Sequence, residues 1–136
     1  MDLLDPPLAR EVAHWRTFDA QELASRQALG ARCVAQIDRA FDRFDLLLTP
    51  TMPVTPLPVG RDAPEGREGA GAVGWSYFTY PVNLAGNPAA SYPVGLDPDG
   101  LPIGLQLVAR KGDEATLFAA LFALETLLPV REAPQR

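Results

Sequence analysis

The chain has 136 residues, 47% hydrophobic and 21% charged, with 17 acidic residues against 12 basic ones and a net charge of −5. That balance is globular rather than disordered, and a single domain of this length is able to bury a core of its own. It argues against a nucleic-acid surface, which needs clustered Lys and Arg to displace phosphate counterions, and the lone cysteine, Cys33, excludes an internal disulfide framework.

The N-terminus opens MDLLDPP, with acid and proline where an export signal carries basic residues before an apolar run. The longest apolar stretch, residues 117 to 124, is far shorter than the roughly 20 residues of a membrane span. A cytoplasmic protein without membrane contact is therefore expected. Asp5 followed by Pro6 and Pro7 has the form of a helix cap and first turn, and Leu8, Val12 and Trp15 continue it at helical spacing. Asp19 with Glu22 imitates a capping box. Leu29, Cys33, Ile37, Phe41 and Phe44 then follow one face, which predicts a long helix over about residues 19 to 43, with Cys33 a small core residue. Gly30 inside it costs about 1 kcal/mol relative to alanine.

Asp45 to Thr49 (DLLLT) is a continuous apolar run ended by Pro50, the pattern of a strand buried on both faces. Prolines at 50, 53, 56 and 58 remove backbone donors and predict an extended loop over 50 to 59. The glycine- and charge-rich stretch 60 to 74 shows no apolar period and is expected to be flexible. Ala90, Tyr92, Val94 and Leu96 alternate in steps of two, Asp97 to Gly100 supply turn chemistry, and Leu101, Ile103, Leu105 and Leu107 alternate again, so a hairpin follows. Pro102, Gly104 and Gln106 fall on its other face. Asp113 caps a last helix that stops at Pro129; from Ala115 to Leu128 only Thr116, Glu125 and Thr126 are polar, so this helix needs cover on more than one side.

Three blocks in this order, DLLLTPTMP at 45 to 53, FTYPVNLAGNPAASYPVG at 78 to 95 and DGLPIGLQLVARKGDEATL at 99 to 117, resemble the C-terminal third of amidase-signature enzymes over about residues 17 to 127. The resemblance implies an α/β fold: a partial amidase-signature domain, helices packed on a small mixed sheet containing a β-hairpin, with a short helix near Trp75 to Leu84. It divides the chain into an N-terminal extension with a short helix (1–16), the C-terminal portion of the domain (17–128) and a tail (129–136). The family's chemistry is amide C–N hydrolysis or transfer by a Ser nucleophile, a second Ser and a Lys base, and those residues lie upstream of everything matched here. No catalytic residue, metal or cofactor is therefore assigned, and the chain is expected to be inactive alone. Met1 as an internal position of a longer reading frame is a further expectation of the same kind.

The resemblance places Trp75, Phe78, Thr79 and Asn83 beside the substrate cleft as candidate lining residues. Ser76 stands where the glutamine-using members of aminoacyl-tRNA amidotransferases tend to carry an acid two places before the Phe, which favours a general amidase over the amidase-like part of such an amidotransferase. A dyad of Ser91 with Lys111 is the one catalytic arrangement the residues themselves suggest, and a solvated Lys111 is the plainer alternative. His14, the only histidine, has no metal-ligating or triad partners, and Asp97 with Asp99 is read as a turn rather than a cation loop. A second class of function remains open: a self-associating or subunit-interaction module, joined through the apolar last helix and DLLLT to a copy of itself or to a missing N-terminal amidase portion.

Overall fold

A computed structural model describes residues 4–67 and 75–129. The elements in order are α1 (Pro6–Trp15), α2 (Ala20–Ala40), β1 (Leu46–Pro50), α3 (Tyr80–Ala85), β2 (Ala89–Leu96), β3 (Pro102–Ala109) and α4 (Glu114–Leu127). The tail from 130 and the part of the expected flexible stretch at 68–74 lie outside the described residues.

Local chemistry starts and stops these elements. Pro6 and Pro7 occupy the first turn of α1, where no amide partner is needed, while the Asp5 side chain makes no capping bond. The capping box of α2 is complete: Asp19 Oδ1 accepts from the Glu22 amide at 2.8 Å, and Glu22 Oε2 accepts from the Asp19 amide at 3.1 Å. This helix ends at Ala40, before the expected 43, because Asp42 and Arg43 donate back only three residues, to Arg39 and Ala40. At the end of α3, Gly86 takes φ 73°, the left-handed conformation glycine adopts without strain, and its amide reaches the Val82 and Asn83 carbonyls. Gly30 also has a packing reason: a Cβ there would sit 3.3 Å from the Leu84 side chain of α3, so the helices approach closely at this point.

The sheet has the order β1-β3-β2, with both pairings antiparallel. The α/β class and the hairpin stand, but among the described residues the sheet is antiparallel throughout rather than mixed. In the hairpin turn, Asp97 Oδ1 accepts from the amides of Asp99 and Leu101 at 2.9 and 2.8 Å, so the acid belongs to the turn. The alternation expected through Val94 breaks at a bulge. Pro93 pairs with Gly104 and Gly95 with Ile103, which leaves Val94 unmatched.

Two helical layers cover the sheet. On one face Leu46, Ala90, Tyr92, Leu105, Leu107 and Ala109 pack against Leu117, Ala120, Leu121 and Leu124 of α4. On the other, Leu47 and Val108 meet Ile37 and Phe41 of the α2 end and Val82 of α3. Gln106, on the face that alternation sets opposite Leu105 and Leu107, is buried under the α3 segment. Its amide donates to Thr49 Oγ1 at 2.9 Å and to the Phe78 carbonyl at 3.0 Å, which is how a polar side chain survives there. β1, expected to be buried on both faces, is only partly covered, as Leu48 remains 57% exposed on an outer strand. The outer face of α4, with Phe118, Phe122 and Leu127, is bare, as a helix apolar on all sides predicts when one side alone has a partner.

Candidate functional site

Along β3, Val108, Gln106 and Gly104 lie in steps of two on the α2 and α3 side of the sheet, and they grade from packed to open. Val108 is closed over by Phe41 and Val82. Gln106 forms the polar rung described above. Gly104 has no side chain of its own, and an open cleft of about 560 Å³ lies beside it, between the proline-rich loop from Thr51 to Pro56 and the hairpin.

Its floor is a hydroxyl pair. Thr51 Oγ1 and Ser91 Oγ are 2.6 Å apart, and the Thr51 amide donates to the Gly104 carbonyl at 2.8 Å. A Cβ on Gly104 would stand 2.7 Å from Thr51 Oγ1 and 2.8 Å from Ser91 Oγ, closer than side chains tolerate. Only glycine at this rung lets the two hydroxyls meet. The walls are Pro53, Pro56, Pro93 and Ile103, with Trp75 closing one side. Trp75 is held by its indole, which donates to the Asp62 carbonyl at 3.1 Å, and Asp62 is tied to α1 through an exposed ion pair with Arg10 at 3.0 Å. Among the described residues, none that lines the cleft has an ionisable side chain.

Of the four residues placed beside a substrate cleft, Trp75 lines this one, and Phe78, Thr79 and Asn83 sit elsewhere. The Phe78 carbonyl holds Gln106, and its ring lies 4.9 Å from that of Tyr77. The Thr79 hydroxyl donates to the Ser76 carbonyl at 3.2 Å at the start of α3, and Asn83 is exposed on that helix. Sequence reasoning missed Thr51, Ser91 and Gly104 as a group. The available signal was the absent side chain at Gly104, in step with Gln106 and beside two short hydroxyl residues, but the pairing of Pro93 with Gly104 is needed to bring them together.

The structure does not bring Ser91 and Lys111 into contact. Lys111 Nζ pairs with Asp38 Oδ1 at 3.0 Å, with both side chains about half exposed, while Ser91 is bonded to Thr51. The Ser25 hydroxyl donates to the Gln21 carbonyl within α2. His14 is exposed, with its ring edge-on to Phe18 at 5.1 Å, and Cys33 is half-buried in α2. Among the described residues no group of His, Cys, Asp or Glu is arranged to hold a metal ion.

The family model for amidases matches residues 4–118. Fatty acid amide hydrolase of Arabidopsis thaliana is 36% identical over 124 residues, 90% of this chain and 20% of its own length. The A subunit of glutamyl-tRNA(Gln) amidotransferase from Parvibaculum lavamentivorans is 42% identical over 96 residues, 71% of this chain and 19% of its own length. Among solved structures, a bacterial aryl acylamidase of the amidase-signature enzymes superposes with a TM-score of 0.80 at 30% identity, covering 93% of this chain and 27% of the other. A 6-aminohexanoate cyclic dimer hydrolase gives a TM-score of 0.73 at 29% identity, over 98% of this chain and 30% of the other. The chain thus spans about a fifth of the length of the curated relatives it matches.

Proposed function

The chain belongs to the amidase-signature family, and on that premise we propose that it is the C-terminal part of a cytoplasmic amide C–N hydrolase and is inactive alone. The observation that carries this reading is the fate of the only lysine. Acyl transfer by a serine requires a base within hydrogen-bond reach of the hydroxyl, and Lys111 is engaged by Asp38 while Ser91 is engaged by Thr51. Substrate contact by Trp75, Phe78, Thr79 and Asn83 belongs to the same reading, in the setting of an intact enzyme. Ser76 in place of an acid supports a general amidase over part of an amidotransferase, since the charge that would hold an amino-acid ammonium is missing. The test is turnover of acetamide and acetanilide by the purified chain. The expected rate matches that of the Ser91→Ala variant, and hydrolysis abolished by Ser91→Ala overturns the reading.

One observation favours a second, compatible reading, an interaction module. Phe118, Phe122 and Leu127 leave the outer face of α4 bare, and β1 and β2 are both outer strands with an unpaired edge among the described residues. Such surfaces associate with a copy of the chain or with a missing amidase portion. Light scattering across a concentration series tests self-association, and a monomer at every concentration counts against it.

A further inference from the structure

We propose that the cleft at Gly104 is a binding site for one small, uncharged carbonyl compound, with the Thr51–Ser91 hydroxyl pair as hydrogen-bond donor and Trp75 as apolar wall. The proposal rests on the amidase reading only for the choice of an amide as the carbonyl compound. The volume of about 560 Å³ falls within the roughly 300–1,000 Å³ of small-molecule sites, and its walls combine apolar side chains with a few converging polar groups.

The hydroxyl pair defines what it selects. Two hydroxyls carry two hydrogens, and the 2.6 Å contact uses one of them. Whichever oxygen donates, one hydrogen is left over, so the pair always offers a donor to an incoming acceptor such as a carbonyl oxygen. Charge is rejected for a different reason. With no ionisable side chain among the described lining residues, a carboxylate or ammonium entering the cleft sheds hydration without gaining a counter-charge from them.

The experiment follows the two indole N–H signals of the nitrogen-labelled full chain, with Trp15→Phe used to tell Trp75 from Trp15. Acetanilide is the neutral probe and para-acetamidobenzoate its charged counterpart. Acetanilide is expected to move the Trp75 signal along a saturating curve, and the carboxylate to bind at least ~10-fold more weakly. Thr51→Val and Ser91→Ala are each expected to weaken binding by less than about 2-fold, because the remaining hydroxyl still donates; the double variant loses about 5-fold, the worth of one hydrogen bond. Equal binding of the two probes, an unmoved Trp75, or single variants as damaging as the double one overturns the assignment. A Trp75 signal that moves with protein concentration and ignores acetanilide places a second copy in the cleft and also overturns it. Turnover by the chain would sink the inactive-alone reading and leave this one intact, whereas absent binding does the reverse.

Discussion

The middle strand and the longest helix carry similar aliphatic side chains and hold them in opposite environments. In β3, Leu107, Val108 and Ala109 are at most 1% exposed, whereas no residue of the 21-residue α2 is buried and Leu29 is 65% exposed. The strand has a neighbour on both edges and a helical layer on both faces. The helix touches the rest of the fold mainly at its C-terminal end and at Gly30, where α3 draws close. Burial here depends on the number of sides an element has covered, not on the apolar content of its sequence, and the first turns of α2 start from a local capping box.

The largest effect that sharpens this contrast is Leu107→Ala. Leu107 packs against Tyr92, Ala109 and Leu117 between the sheet and α4, so truncation removes transfer energy and leaves a cavity that the flanking strands hinder from collapsing. Urea unfolding is expected to show a loss of about 2–5 kcal/mol. A loss below about 1 kcal/mol would mean that β3 is no better covered than α2, and the comparison would fail.

How much of this was legible beforehand divides along the same line. Elements started by their own residues are where the sequence placed them: the Asp19 and Glu22 capping box, the Asp97 to Gly100 turn and the Asp113 cap, which accepts from the Thr116 amide at 3.2 Å. Long-range burial was not legible. Alternation set Gln106 opposite the leucine face and no more, and only the chain segment brought over it by α3 shows that its amide is satisfied by Thr49 and Phe78. The bulge at Val94 was hidden too, because period-two spacing in a sequence cannot register an extra residue in one strand. The cleft needed both kinds of information: Gly104 was visible as a missing side chain, while Thr51, Ser91 and Trp75 come from three segments that only the fold juxtaposes.

Asp19→Ala probes the other half of the contrast. It removes the acceptor for the Glu22 amide and the reciprocal geometry of the box, with an expected loss of about 1 kcal/mol. Circular dichroism on the same samples should show reduced helix before the sheet melts, since α2 has little packing to hold its first turns once the cap is gone. Unchanged helicity would show that tertiary contacts, not the cap, sustain this end.

The smallest expected effect is the most discriminating one. Leu29→Ala repeats the chemical deletion of Leu107→Ala at a side chain that is 65% exposed. Little apolar surface is returned to water, no cavity forms, and alanine is the better helix former, so unfolding is expected to move by no more than about 0.5 kcal/mol in either direction. Because the atoms removed are the same in both variants, the difference between the two measurements isolates what cover contributes. A loss at Leu29 that approaches the one at Leu107 and grows with protein concentration would mean that Leu29 is buried in an assembly, and that α2 meets a second copy of the chain through the very face its periodicity marked as apolar.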